Sequence, residues 1–318
     1  MTLREIADKL KTIESAAIFC HMRPDGDTLG AALGLQGLLR ACGIPSEVVC
    51  ESPVPAKFFF LEGMREVASA PTKDAQAFIA VDSSDEARLG ALCETFTKSK
   101  KIKFNIDHHV SNTRFGDYCY VEERAATCEI VTALADELEV PIDAHTANCL
   151  LLGVSSDSGN FAHKNVTENT FLTAAKLLRC GADIHEIQYN MFKRQPRERA
   201  LLFGMTMSKI RYFYGDKIAL ISVGKKTLEE CGATSDMTEG FIDFPLSVDG
   251  VEVAACLLET KPHSFKISLR SKGRSDVNKI ASVYGGGGHV LASGCMIGGE
   301  LEEVVDKLVY TIRQHIED

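Results

Sequence analysis

Four apolar runs in this chain end in side chains that can hold a metal ion or move a proton. Residues 16–20 lead into His21, then Asp25 and Asp27; residues 77–81 lead into Asp82; residues 102–106 lead into Asp107, His108 and His109. The apolar stretch 150–154 is followed by Asp157, Ser158 and Gly159. Carboxylates and imidazoles without a thiolate form a hard donor set with borderline nitrogens, which suits Mn²⁺ or Mg²⁺ better than structural zinc. Several carboxylates cannot all stay ionised in one cleft unless cations neutralise them, and one carboxylate bridging two ions is the economical arrangement. Paired ions of that kind suit in-line hydrolysis at phosphorus.

Each stretch taken alone has an ordinary structural explanation. Asp25 and Asp27 read as a turn whose acids cap the next helix, Asp82 with Ser83 and Ser84 as another cap, and His108 and His109 as one core and one surface histidine. That explanation has to hold independently at three strand ends and again at Asp157, and the conjunction counts against it.

A second set of residues points to an anion. Residues 285–288 are four consecutive glycines followed by His289, and they lie between a helical stretch and the compact Ala292, Ser293 and Gly294 rather than between polar spacers. Consecutive glycines let backbone N–H groups approach a phosphate, and the imidazole adds a donor. Arg270, at the end of an apolar run, can grip a phosphate in fork geometry. Residues 193–226 hold nine Lys or Arg against Glu198 and Asp216, and residues 261–279 hold six against Asp276 alone. The net charge of −9 argues against coating long duplex nucleic acid, yet the basic C-terminal third can receive a small anion.

The elements that must position these groups follow from the pattern. Short apolar runs at 16–20, 47–50, 77–81 and 102–106 read as buried strands, and 28–42 reads as a helix with apolar Leu29, Ala32, Leu33, Leu35, Leu38 and Leu39, closed by Gly43. Alternating strands and helices imply an α/β fold with a doubly wound, mostly parallel sheet, whose carboxyl strand ends share one edge. From Ala125 to about Gln188 the pattern is helical, and 192–199 marks a domain boundary or the start of a connecting helix. Beyond it, strands are expected at 218–223, 251–258 and 265–269, with helices near 276–284 and 300–316. A chain of 318 residues favours two domains: a catalytic domain over 1–190, a linker over 191–210 and a smaller α/β domain over 211–318. Residues 1–10 carry Arg4, Glu5, Asp8 and Lys9, no apolar run reaches bilayer length, and the eleven cysteines lack any CxxC pair. The expectation is a cytoplasmic protein with reduced thiols and no membrane partner.

In their order and spacing these motifs resemble the DHH phosphoesterase superfamily, in the subfamily with a C-terminal DHHA1 domain. The matching segments are His21 to Asp27, Val81 to Asp85, Asp107-His108-His109 with Asn112, Asp157-Ser158-Gly159, Ser268 to Ser271, and Gly285 to His289. The resemblance implies one metal on His21, Asp25 and Asp82, and a second on Asp27, Asp82, His108 and Asp157, with Asp82 bridging. It implies Asp107 as an orienting carboxylate and His109 facing the scissile phosphate, either to stabilise the phosphorane-like state or to protonate the leaving oxygen. Substrate would be held by Asn112, Arg114, Arg270, Ser271, Gly286, Gly287, Gly288 and His289, with the active site in an interdomain cleft. The implied cofactor is two Mn²⁺ ions, with Mg²⁺ as the alternative. The implied reaction is hydrolysis of short oligoribonucleotides to nucleoside monophosphates, or of pAp to AMP and phosphate. Its rivals are a linear or cyclic dinucleotide phosphodiesterase, an exopolyphosphatase and a non-catalytic nucleotide-binding regulator. A homodimer stays open. One departure is the run Ser158, Gly159, Asn160, Phe161, Ala162 and His163, where the family commonly has Thr-Gly and then a basic or aromatic residue near the phosphate.

Overall fold

A computed structural model describes residues 1–72 and 74–316. The chain divides into two compact units, Met1–Arg194 and Gln195–Asp318.

The first unit runs α1 (Leu3–Leu10), β1 (Ala16–Phe19), α2 (Gly26–Ala41), β2 (Ser46–Val49), β3 (Ala77–Val81), α3 (Cys93–Thr97), β4 (Ile102–Asp107), β5 (Tyr118–Val121), α4 (Thr127–Leu138), α5 (Ala144–Asp157), α6 (Glu168–Arg179) and α7 (Ile184–Gln188). Its five strands lie in the order β2-β1-β3-β4-β5, all parallel. The chain leaves β1 toward one edge and returns for β3 on the other side, so the switch point lies between β1 and β3. Side chains alternate along each strand. Ile18, Ile79 and Val81 pack into the core shared with α1, α2, α4 and α5, whereas Ala17, Phe19, Phe78 and Ala80 face a smaller core with Phe96. Burial on both faces explains why β1 and β3 are continuous apolar runs.

The second unit runs α8 (Arg197–Met207), β6 (Arg211–Phe213), β7 (Ile218–Val223), α9 (Lys225–Cys231), α10 (Asp243–Ser247), β8 (Val253–Lys261), β9 (Ser264–Ser271), α11 (Val277–Ser282), β10 (Gly287–His289), β11 (Ala292–Gly298) and α12 (Leu301–Arg313). Its six strands have the order β10-β11-β9-β8-β7-β6, and only β7 and β8 run parallel. One face packs Val253, Ala255, Leu257, Ile267 and Leu269 against α11 and α12. The other packs Ile221, Ala254, Cys256 and Leu258 with Leu202, Phe241 and Ile242.

The expected strands and helices therefore form, shifted by a few residues at their ends. The stretch expected as a linker is instead mostly α8, whose buried Leu202 joins the second core. Several elements, among them α1, β6 and β11, are not expected from the sequence, and two further ones bear on the site. β5 is a half-buried edge strand, and β10 is made from the glycine run itself. All eleven cysteines are free thiols, and no helix among the described residues is long and apolar enough to cross a membrane.

Candidate metal centre

The carboxyl ends of β1, β3 and β4 bring their polar residues to one edge, and α2 and α5 add theirs. His21 is buried two residues after β1, and Asp82, directly after β3, is 2% exposed. Asp82 has φ of +54°, a left-handed conformation that an aspartate adopts more readily than most residues. Asp25 caps α2, its Oδ1 accepting from the amides of Asp27 and Thr28 at 3.0 and 3.1 Å. The capping explanation of Asp25 is thus realised, while its Oδ2 still faces His21. Asp157 closes α5. α5 packs so closely on its neighbours that a Cβ on Gly153 would lie 2.2 Å from Cys128 Sγ of α4 and 2.7 Å from Asp27 Oδ1 of α2.

Most of the donors are fixed from behind. The His21 Nδ1 lies 2.9 Å from the Met22 carbonyl and the His108 Nδ1 lies 2.9 Å from the Arg124 carbonyl. A carbonyl can only accept, so both Nδ1 atoms carry hydrogen and Nε2 is the ring atom left to face a cation. Asp27 is 0% exposed and caps α4 from a distance: its Oδ2 accepts from Thr127 N at 2.6 Å and its Oδ1 from Cys128 N at 3.0 Å. Thr127 Oγ1 donates to Asp82 Oδ1 at 2.9 Å. Such outer contacts set the orientation and basicity of metal ligands.

The geometry of Asp82 divides the cluster into two halves. Its Oδ2 lies 3.5 Å from His21 Nε2, which is also 3.6 Å from Asp25 Oδ2. Its Oδ1 lies 3.5 Å from His108 Nε2, which is also 3.6 Å from Asp157 Oδ2. These gaps exceed a hydrogen bond, yet suit two ligand atoms sharing an ion about 2.1 Å from each. Donor atoms of His21, Asp25 and Asp82 lie within 4.8 Å of one another, and so do those of Asp27, His108 and Asp157. The buried His108 Nε2 has no hydrogen-bond partner among the described residues. An orphaned imidazole nitrogen facing carboxylates is what a divalent cation would satisfy.

The electrostatics agree. Burial, then Asp82 and Asp157, pushes Asp27 far above the usual carboxylate range. Burial, then Asp82 and Asp25, raises Asp157 to about 7. Burial opposes a charged His21, but Asp25 and Asp82 outweigh it and raise the ring to about 10. The protein alone thus holds protons where cations would otherwise compensate the charge.

The Asp107 side chain makes no hydrogen bond to His108 among the described residues. Its Oδ1 takes His109 Nδ1 at 2.8 Å, and its Oδ2 accepts from Asn112 Nδ2 at 2.7 Å. Burial would raise the Asp107 pKa, but His109 and Asn112 override it and lower it, while Asp107 raises His109. The result is an imidazole biased toward its charged form at the rim of an acidic cluster. Asn112 also donates to the Ser83 carbonyl at 2.9 Å and accepts from Arg114 N at 2.6 Å, so its amide is occupied in building the loop. Arg114 is exposed with φ of +56°. In the departing loop, His163 Nδ1 lies 3.2 Å from the Asp157 carbonyl.

The second unit gathers the remaining residues by strand register. Arg270 pairs with Ala292, and Ala292 pairs with His289. Paired residues project to one face, so Arg270 and His289 share a row, about 10 Å apart, with only an alanine between them. The next row is Ser268, Gly294 and Gly287. A Cβ on Gly286 would lie 2.2 Å from the Gly294 carbonyl, and Gly288 has φ of +149°. Ser271 does not join this group: it is buried, and its hydroxyl accepts from the amides of Gly273 and Ser275. Thr127, the Arg124 carbonyl and the amide of Cys128 support the cluster without having been picked out from the sequence. Each acts at long range, and two act through the backbone, so residue type gave no signal.

This paired architecture, acids and imidazoles on a parallel sheet followed by a mixed-sheet unit, defines a class. The model of the DHH family N-terminal domain matches residues 15–154 and that of the DHHA1 domain matches residues 217–318, and the chain belongs to the DHH phosphoesterase family. Over 318 aligned residues it is 30% identical to the bifunctional oligoribonuclease and PAP phosphatase NrnA of Thermus thermophilus, covering 99% of this chain and 94% of that one. It is 26% identical over 179 residues to a probable manganese-dependent inorganic pyrophosphatase of Enterococcus faecalis, covering 54% of this chain and 55% of the relative. Its fold matches the crystal structure of an exopolyphosphatase-related protein from Bacteroides fragilis, with a TM-score of 0.83 and 24% identity over 98% of this chain and 95% of that one.

Proposed function

We propose that this protein is a two-metal phosphoesterase that hydrolyses short oligoribonucleotides to nucleoside monophosphates and pAp to AMP and phosphate. The observation that carries the reading is Asp82, which turns one oxygen toward the His21 half of the cluster and the other toward the His108 half. Full-length similarity to NrnA of Thermus thermophilus supports the substrate class. The manganese-dependent relative supports Mn²⁺ as the resident ion.

His21, Asp25 and Asp82 would hold one ion, and Asp27, Asp82, His108 and Asp157 the other. Paired divalent ions, when bound, supply a nucleophile at neutral pH and offset the charge that develops on a phosphoryl group. The chain's own residues do the rest. Asp107 keeps a proton on His109, whose ring donates a hydrogen bond to the phosphoryl oxygens and stabilises the negative charge of the transition state. Thr127 and the first amides of α4 hold Asp82 and Asp27 in place while charge shifts at the site. Arg270 and His289 bind a phosphate of the substrate as charge-assisted donors.

Turnover of pAp, a linear dinucleotide, a cyclic dinucleotide and polyphosphate, measured side by side on manganese-loaded protein, tests the assignment. Rapid release of AMP from pAp and of monophosphates from the linear dinucleotide is expected. Preferential cleavage of the cyclic dinucleotide or of polyphosphate would overturn it.

A further inference from the structure

Asp157 differs from the other acids of the cluster in how it is held. The carboxylates of Asp25, Asp27 and Asp82 each accept hydrogen bonds from the protein. The Asp157 carboxylate accepts none among the described residues; its Oδ2 faces His108 Nε2 at 3.6 Å. Its main chain is held instead. The Asp157 carbonyl lies 3.2 Å from His163 Nδ1 and accepts from Asn165 Nδ2 at 3.1 Å. The same Asn165 nitrogen donates to the Ala125 carbonyl at 3.2 Å, a partner 40 residues away in sequence. Both partners are carbonyls, which only accept, so the amide nitrogen must face them and spends both of its hydrogens there.

The two carbonyls belong to the two segments that set the His108 half of the cluster. Asp157 closes α5. Ala125 stands between Arg124, whose carbonyl orients His108, and Thr127, whose hydroxyl and amide hold Asp82 and Asp27. One side chain thus ties the end of α5 to the loop before α4. The turn that delivers it is strained: Gly159, Asn160 and Phe161 have φ of +56°, +56° and +64° in succession, a conformation that a bulky aromatic residue rarely adopts. Phe161 is pinned by stacking on Phe171, with ring centroids 5.5 Å apart, and Asn160 Oδ1 accepts from Gln188 Nε2 at 2.9 Å. Strain of this kind persists only where surrounding contacts over-determine it, and it gathers at functional sites. Asn165 itself is exposed, so its side chain contributes hydrogen bonds rather than core packing.

We propose that Asn165 is a positioning residue, which sets Asp157 against His108 and thereby fixes the affinity of the half-site they form. The proposal rests on the metal-binding reading given above.

Manganese titration of the full-length protein, followed by the electron paramagnetic resonance signal of the free ion, measures that affinity without turnover. Asn165→Ala should weaken one of the two bound ions by about 10- to 100-fold, the usual cost of removing an outer contact. Asn165→Asp, which keeps the shape but loses the donor, should do the same. A double-mutant cycle separates positioning from general destabilisation. In an Asp157→Ala background the ion of that half is already lost, so adding Asn165→Ala should change the remaining manganese affinity by less than about twofold. In an Asp25→Ala background, which spares that half, it should still cost about tenfold. A merely structural role would lower the denaturant midpoint and add the same loss in both backgrounds. Unchanged affinity in Asn165→Ala, or equal losses in the two backgrounds, overturns the proposal. Wild-type protein that takes up a single ion sinks the two-ion reading, and the response of that ion to Asn165→Ala still decides this one.

Discussion

The two units solve the problem of placing polar side chains in opposite ways. In the first, the donors are largely buried, and four of them are fixed by protein partners: His21 by its neighbour's carbonyl, His108 by the loop before α4, Asp27 by the start of α4, and Asp82 by Thr127. In the second, Arg270 and His289 are placed by strand register and remain open to solvent or partly so, with Arg270 Nη1 donating only to the neighbouring Leu269 carbonyl. A site that must bring like charges together needs rigid, hydrogen-bonded support, because repulsion would otherwise spread it. A site that receives an anion needs cations at the right spacing and can leave them mobile. Substitutions in the first unit should therefore disturb one another, and those in the second should act singly.

The largest effect should come from Asp82→Ala, which removes the carboxylate shared by both halves and should lower turnover by about 10⁴-fold or more. Residual activity near wild type would end the bridging assignment. Thr127→Val keeps the shape but removes the hydrogen bond to Asp82, and should weaken metal affinity by about 10- to 100-fold, with Thr127→Ser restoring it. A Val variant with unchanged affinity would show that the buried support is dispensable. Arg270→Met should raise KM about tenfold with smaller change in kcat and none in metal content. A fall in metal content there would break the contrast between the units.

The smallest effect is a slope of stability with pH. Asp157, at about 7, and His21, at about 10, both bind protons more tightly in the folded, metal-free protein than in the unfolded chain. Their contribution is complete below the unfolded values and lost as pH rises through the folded ones, from about 4 to 7 for Asp157 and from about 6.5 to 10 for His21. Metal-free protein should therefore lose stability as pH rises from 5 to about 9. Metal competes with those protons, so the stabilisation on adding manganese should grow over the same interval. Denaturant midpoints with and without metal measure both trends, and parallel curves would contradict them.

The same contrast explains what could be read from the sequence. Three donors of the first unit stand where strand runs end, and a parallel sheet converts that position in sequence into a shared edge in space, so His21, Asp82 and His108 were legible, whereas Asp157 comes in at the end of α5. Their supports were not, because Asp27 meets Thr127 and Cys128 across 100 or 101 residues through main-chain amides. In the second unit the chemistry was legible only as residue types. Placing Arg270 beside His289 requires the pairing of β9, β11 and β10, and a strand of sequence Gly-Gly-His has no strand propensity to announce it. Ser271 reads as a partner of Arg270 by adjacency, but neighbouring residues on a strand face opposite sides, and its hydroxyl closes the turn after β9. The break at the basic run with Pro196 does fall where the two units divide, but the linker is short, because proline before the first turn starts α8 at once.

Metal stoichiometry tests the central claim most directly. Protein loaded with manganese, freed of excess ion and analysed by elemental mass spectrometry should hold two ions per chain, and Asp82→Ala should lose both together. One ion per chain in the wild type, or two retained by Asp82→Ala, would contradict the account.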